Sequence, residues 1–321
     1  YVGDYGGRVY ALDAKTGKLL WEYSSGASAF GAGATGPVVA DGVLVASAGG
    51  TVGLDRASGK QLWKGPTGNL LVWRKGNVER VLVSGGGEKG KTIISCLDAK
   101  TGKAIWTAES PFWGLGDVYP IVDGNYLVGY DVTKGGKAGE ADFGKDTQVL
   151  CYRLGEQGMQ KAWAVTAPHP AIDKLALTIA NGHVYIDGAA ETFCLKLPSG
   201  EKVATAKAGG ARTQVMFAVD GRVFIQPEGR HGGQSFFMLE ADPKDFRVVP
   251  AGNAARETRH AGEGQWVPLH TPDTAYANQP VIYPVVDGRL FVRGHDGLYC
   301  YDLRKTAGMP AVPAVKPAAR P

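Results

Sequence analysis

Ala11-Leu-Asp-Ala-Lys-Thr-Gly-Lys-Leu-Leu-Trp21 returns as Gly53-Leu-Asp-Arg-Ala-Ser-Gly-Lys-Gln-Leu-Trp63 and as Cys96-Leu-Asp-Ala-Lys-Thr-Gly-Lys-Ala-Ile-Trp106. Weaker copies run from Cys151 to Trp163 and from Cys194 to Ala204, with further copies near Met238 and at Cys300. The copies start at residues 11, 53, 96, 151, 194, 238 and 300, at intervals of 42, 43, 55, 43, 44 and 62. A base period near 43 is that of a four-stranded propeller blade, and the two long intervals carry insertions of about 12 and 19 residues.

The second copy shows how one unit is built. Pro37-Val38-Val39 reads as strand A, Asp41-Gly42 as a hairpin turn, Val43 to Ser47 as strand B, Thr51 to Asp55 as strand C and Gln61 to Lys64 as strand D. Asn-Gly and Asp-Gly suit two-residue hairpins because both residues tolerate positive φ. The A–B turn returns as Asp123-Gly124, Asn181-Gly182, Asp220-Gly221 and Asp287-Gly288. The C–D turn returns as Thr16-Gly17, Ser58-Gly59, Thr101-Gly102 and Ser199-Gly200, where Asp and Thr/Ser side chains can bond turn backbone and Gly takes the left-handed position. Composition agrees: 47 of 321 residues are Gly, about twice the usual share, set between short Val, Leu, Ile and Tyr runs. That pattern excludes a helical bundle and a disordered chain. No apolar run reaches the roughly 18 residues of a membrane span. The net charge of +4 is scattered, without the basic stripe that nucleic-acid binding requires.

The pattern Ala-x-Asp-x-x-Thr-Gly-x-x-x-Trp resembles the tryptophan-docking motif of PQQ-like (quinoprotein alcohol dehydrogenase-like) β-propellers. The resemblance runs to about residue 305 and is nearest in character to the family's non-catalytic members, such as the outer-membrane assembly lipoprotein. It implies an all-β propeller of four-stranded antiparallel blades over residues 1–306, with seven repeats visible, the first lacking strand A and the last lacking strand D. Upstream residues are expected to supply those strands and a further complete blade, which would make eight in the full-length protein. Residues 307–321, rich in Ala and Pro, read as a flexible tail. Trp21, Trp63, Trp106 and Trp163 are expected to pack between blades as structural cement. Ala11, Gly53 and Cys96 would leave room for an indole. Cys96, Cys151, Cys194 and Cys300 all fall on this small position. Equivalent positions on sheets about 10 Å apart lie too far apart for a disulfide, so free thiols are expected.

Strand order places the A–B and C–D turns on one face of the disc, the turn face, and the B–C and D–A connections on the other, the loop face. The loop face is expected to carry the insertions at 131–147 and 226–235 (B–C) and 250–280 (D–A), with medium loops at 109–117 and 166–173. Variable loops on a rigid scaffold are where function usually resides. His169, His231, His260, His270 and His295 fall in these loops, and His183 alone follows an A–B turn. The ligand-face candidates are His169, His231, His260, Trp266, His270, Asp273, His295 and Asp296, with Trp113, Glu228, Glu263, Arg230 and Arg259 in the same loops. His260 and His270 match no short-spacing metal motif, and no metal site is expected.

In the family's dehydrogenases the resemblance implies PQQ held between a Trp and a vicinal disulfide, with calcium and a catalytic Asp. This chain has no adjacent Cys pair, and no position here can be matched to the calcium ligands or the Asp. Gly85-Gly86-Gly87-Glu88-Lys89-Gly90 follows a strand without a helix and reads as a loose turn rather than a phosphate loop. The expectation is a non-catalytic binding or scaffolding propeller, without a catalytic residue or a resident cofactor, that holds a protein or small ligand on its loop face. The alternatives are a PQQ/Ca-dependent, quinoprotein-type oxidoreductase and a sensor module of a larger exported protein. Family resemblance alone makes the expected location periplasmic or otherwise exported.

Overall fold

The computed structural model describes residues 1–3, 6–13, 16–26, 36–86, 92–112, 120–131, 147–167, 177–188, 191–207, 213–219, 221–227 and 236–248. It also gives the backbone of strand residues 265–266, 285–286, 289–293 and 298–302, while the side chains of those strands and of 213–215, 226–227 and 236–237 lie outside the description.

Among the described residues, twenty-six strands form seven separate antiparallel sheets, each built from consecutive strands of one repeat. The first has three strands, β1 (Val2–Gly3), β2 (Arg8–Leu12) and β3 (Leu19–Ser24), in the expected B, C and D positions. The second is β4 (Val38–Ala40), β5 (Val43–Ser47), β6 (Thr51–Asp55) and β7 (Gln61–Gly65). The third comprises β8 (Asn69–Lys75), β9 (Val78–Gly86), β10 (Thr92–Asp98) and β11 (Ala104–Glu109). The fourth comprises β12 (Ile121–Asp123), β13 (Tyr126–Asp131), β14 (Gln148–Gly155) and β15 (Gly158–Thr166). In the fifth are β16 (Leu177–Ala180), β17 (His183–Asp187), β18 (Thr192–Lys196) and β19 (Lys202–Ala206). The sixth has β20 (Thr213–Val219), β21 (Arg222–Pro227), β22 (Phe236–Glu240) and β23 (Gln265–Trp266), and the seventh β24 (Val285–Val286), β25 (Arg289–Arg293) and β26 (Leu298–Asp302). The fold is a β-propeller, as its repeat implies.

Side-chain alternation stacks the blades. A strand sends successive residues to opposite faces, and both faces of an inner strand here are buried. On β5, Leu44 and Ala46 pack toward Val9 of the first blade, while Val43 and Val45 pack toward Leu70, Val81 and Val83 of the third. On β17, Val184 and Ile186 meet Val128 and Val149 of the fourth blade, and Tyr185 meets Val223 and Leu239 of the sixth. Five cores of this kind join successive blades from the first to the sixth. Burial on both faces explains why Val43-Leu44-Val45-Ala46 is continuously apolar rather than alternating.

Strand limits correct one expectation. The repeat spacing places residues 250–280 in a single D–A connection, but β23 stands inside that range and pairs with β22 through Phe236↔Trp266 and Phe237↔Gln265. Residues 241–264, with Arg259, His260 and Glu263, therefore join strands C and D, a turn-face rather than a loop-face connection, and only the residues after Trp266 join D to A. The C–D hairpin here is long and the bridge Leu239↔Val248 begins it, so the short Thr-Gly turn that marks strand D elsewhere is missing from the sequence. Gly85 and Gly86 also belong to β9 rather than to a loop.

Candidate functional site

The docking motif is a latch built from three parts. In five blades the first docking residue pairs with the position ten or twelve residues on: Ala11↔Trp21, Gly53↔Trp63, Cys96↔Trp106, Cys151↔Trp163 and Cys194↔Ala204, with the register slipping just after it each time. A bulge sharpens the local twist and re-aims side chains, here turning the indole toward the next blade. There Trp21 Nε1 donates to Arg56 O (3.0 Å), Trp63 Nε1 to Ala99 O (2.9 Å) and Trp163 Nε1 to Leu197 O (2.7 Å). The turn glycine of that next blade lies flat on the ring. A Cβ on Gly59 would come within 2.6 Å of Trp21, one on Gly102 within 2.5 Å of Trp63 and one on Gly200 within 2.7 Å of Trp163.

Each of these glycines also has φ near +70°, so its turn conformation and its contact exclude a side chain for separate reasons. In blades two and three the turn is fixed by its own Asp. Asp55 Oδ1 accepts from the Ser58 amide (2.8 Å) and hydroxyl (2.6 Å), and Asp98 Oδ1 accepts likewise from Thr101 (2.9 and 2.8 Å). The two Ser58 bonds hold the Asp55 carboxyl below its ordinary range.

The latch fails between the third and fourth blades. Blade four closes its C–D hairpin with two residues, Glu156 and Gln157, and Gly158 has nothing within 4 Å of its would-be Cβ. The buried Trp106 indole N–H has no acceptor among the described residues. Other contacts cross this seam: Trp73 Nε1 donates to Asn125 Oδ1 (3.2 Å) and Lys75 pairs with Glu156 (3.0 Å). Trp73, fully buried, carries no repeat signature and sequence reasoning missed it.

Of the ligand-face candidates, His169, His231, His260, His270, Asp273, His295 and Asp296 lie outside the described residues, and so do Trp113, Glu228, Glu263, Arg230 and Arg259. Trp266 is placed by its backbone in β23. His183 opens β17 on the turn face, its Nδ1 2.8 Å from Asn181 O. The structure adds groups on the loop face that the sequence reading did not single out. Tyr130 and Asp187 stand at or next to the ends of strands B in blades four and five, both about 1% exposed, and Asp187 lies opposite Thr192. Burial, with the Asp187 charge adding to it, pushes the Tyr130 hydroxyl well above its ordinary value. The available signal was positional: Asp187 is the last residue of its strand B and Tyr130 the last but one, each just before a B–C connection.

On the turn face an open cleft of about 440 Å³ is lined by Asp123, Gly124, Asn125, Tyr126 and Arg153 of blade four and Leu197 of blade five. Arg153 lies 5.7 Å over the Tyr126 ring, and its Nη2 donates to the Tyr126 hydroxyl at 3.4 Å.

A family model for the outer membrane protein assembly factor BamB matches residues 1–74 and 50–145. No curated protein matches the chain in sequence. Among solved structures, BamB from Moraxella catarrhalis is 16% identical with a TM-score of 0.56, over 92% of this chain and 78% of that one. The computationally designed Ika8 protein is 13% identical with a TM-score of 0.58, over 94% and 79%. A quinohemoprotein alcohol dehydrogenase from Pseudomonas putida HK5 is 14% identical with a TM-score of 0.54, over 94% and 63%.

The chain is a β-propeller, and its residues 1–145 resemble that assembly-factor family. In this propeller Cys96, Cys151 and Cys194 are free, buried thiols on three different blades, two of them paired across the strands with Trp106 and Trp163. Burial pushes Cys96 and Cys151 up to about 12 and Cys194 to about 11. Thiols committed one per blade to inter-blade packing do not fit a vicinal-disulfide clamp around a quinone. Among the described residues, no three His, Cys, Asp or Glu side chains converge as metal ligands, and no helix is long and apolar enough to cross a membrane.

Proposed function

We propose that this protein is a non-catalytic scaffold that docks a protein partner on its loop face, in a periplasmic or otherwise exported setting. The observation that carries this reading is the contrast between the two faces. On the turn face, most described connections are two- to five-residue hairpins fixed by side-chain and backbone bonds, such as those of Asp55 and Asp98. On the loop face, sixteen residues separate β13 from β14, and ten or more separate β11 from β12 and β15 from β16. Short, bonded hairpins hold a frame, and the longer connections supply variable contact surface; the 241–264 connection of blade six is a long exception on the turn face. Similarity to a family named for outer membrane protein assembly supports a protein, rather than a small molecule, as the partner.

The test replaces residues 132–146 by a short Gly-Ser turn in the full-length protein and follows site-specific photo-crosslinking in cells. The proposal expects crosslinked partner bands from probes at 109–117, 131–147 or 166–173 that are lost in the loop-replaced protein. Equal crosslinking from probes on the turn face, with none from the loops, contradicts it. A quinoprotein-type oxidoreductase is the second reading, favoured by the likeness to an alcohol dehydrogenase. Dye-linked alcohol oxidation after supplying PQQ and Ca²⁺ separates the two.

A further inference from the structure

Three filled indole seats lie in the described blades, and a fourth of the same build lies uncovered on blade one. Each filled seat has a leucine one residue after the first docking residue and a glycine six residues after it. Leu54 clusters with Trp21, Leu97 with Trp63 and Leu195 with Trp163, each indole arriving from the preceding blade, and the three leucines are 0–1% exposed. Gly59, Gly102 and Gly200 lie against the same rings. Blade one repeats the arrangement with Leu12 and Gly17. Asp13 Oδ1 accepts from the Thr16 amide (2.8 Å) and hydroxyl (2.7 Å), and the Gly17 amide donates to Asp13 O (2.8 Å), as that of Gly59 does to Asp55 O (2.8 Å). Gly17 has φ +70°, against +71°, +68° and +72° in the filled seats. Leu12, however, is 42% exposed, and no atom among the described residues lies within 4 Å of a would-be Gly17 Cβ. Val2 lies cross-strand from Tyr10 and so on the same side as Leu12, and it is half exposed as well.

We propose that the seat formed by Leu12 and Gly17 receives a tryptophan from the outer strand of a further four-stranded blade, on the same polypeptide and outside these 321 residues. The build of the seat names the indole. Wherever a described glycine of this conformation stands six residues after the docking residue of blades two, three and five, a strand-D tryptophan covers it. Where strand D carries Ala204 instead, the next blade has the long 241–264 connection and no such turn. Blade seven offers no indole of its own, because residues 267–321 contain no Trp. Among the described side chains, Trp21, Trp63 and Trp163 already fill seats, and Trp73 and Trp106 are packed in the third–fourth seam. The uncovered side of blade one continues the series of seams that joins the other blades, so the piece that fits it is another blade. A blade on the same polypeptide is also held beside the seat at high effective concentration, which a separate partner is not. This inference concerns how the frame is joined and is independent of the loop-face reading.

The test uses the full-length protein. Gly17→Ala, Gly102→Ala and Gly124→Ala are compared by thermal unfolding. With an indole on the seat, Gly17→Ala lowers Tm as Gly102→Ala does and by more than Gly124→Ala, whose glycine has open space around it. In parallel, p-benzoylphenylalanine replaces Lys18, an exposed residue beside the seat, and photo-adducts are mapped by mass spectrometry. The expected adduct lies within one chain and joins residue 18 to a tryptophan-bearing peptide outside the 321 residues. A Tm loss in Gly17→Ala no larger than that in Gly124→Ala overturns the proposal. So does an adduct to a second copy, to another protein or to blade seven, and so does the absence of any adduct within the chain.

Discussion

A tryptophan in this protein is worth what its N–H finds. Trp63, Trp106 and Trp163 are equally buried, at 8% exposure each, and all three shield on the order of 200 Å² of apolar surface. They differ in one hydrogen bond. Trp63 and Trp163 reach a carbonyl at 2.9 and 2.7 Å, whereas Trp106 reaches none among the described residues. Replacing each by Phe removes similar volume, so the difference between variants isolates the bond. Trp63→Phe and Trp163→Phe should each cost about 1 kcal/mol more than Trp106→Phe, because the first two also strand a carbonyl. Urea midpoints at constant m-value measure this directly.

The cysteines make a second residue-scale prediction. With thiols raised to about 12, 12 and 11, Cys96, Cys151 and Cys194 should resist iodoacetamide at pH 8 in the native protein and label fully in urea. Peptide mapping reads this residue by residue. The folded pKa values exceed the unfolded one, so the stability they confer is present below about pH 8.5 and is lost as pH rises toward their folded values. Unfolding free energy should therefore fall across pH 9 to 11 and be flatter in a triple Cys→Ala variant.

At the scale of an element, the C–D turn serves both its own blade and the one before. Gly102 has φ +68° and lies against Trp63, whereas Gly124 has φ +54° and nothing within 4 Å of its would-be Cβ. Gly124→Ala should cost only the left-handed backbone penalty of roughly 1–2 kcal/mol. Gly102→Ala should cost about 1–3 kcal/mol beyond that, from overpacking the indole. Equal costs would show that the ring does not rest on the turn.

The turns and strands were legible in the sequence because one repeat was copied nearly intact three times. The B, C and D strands of blade two were read to within a residue of their observed limits. Legibility failed where the copy decays. The long C–D connection before β23 conceals its fourth strand, and the two-residue hairpin at Glu156-Gln157 hides the loss of the latch to Trp106. Trp73 and Asn125, which bridge that seam, sit on a strand and a turn where no periodic signal points to them.

At the scale of the whole molecule, successive blades share cores from the first to the sixth, so stability is a sum over seams as in other repeat folds. The third–fourth seam lacks an indole bond and relies on Trp73–Asn125 and Lys75–Glu156. Asn125→Ala should therefore destabilise the protein by about 1–3 kcal/mol by orphaning the buried Trp73 N–H, and should raise hydrogen exchange in β8 and β12 before the other blades. The candidate site was the least legible feature. Histidines gathered in loops by composition alone carry no distance information, and seven of the eight candidates lie outside the described residues.

Indoles latched across blade boundaries join neighbouring blades, and their own N–H protons report on the latch. In ¹H–¹⁵N spectra of the full chain transferred into D₂O, with each indole assigned by its Trp→Phe variant, the Nε1–H signals of Trp63, Trp73 and Trp163 should persist long after exposed amides have vanished. Loss of the Trp63 and Trp163 signals within the dead time, under conditions where the β-strand amides remain protected, would contradict the latch.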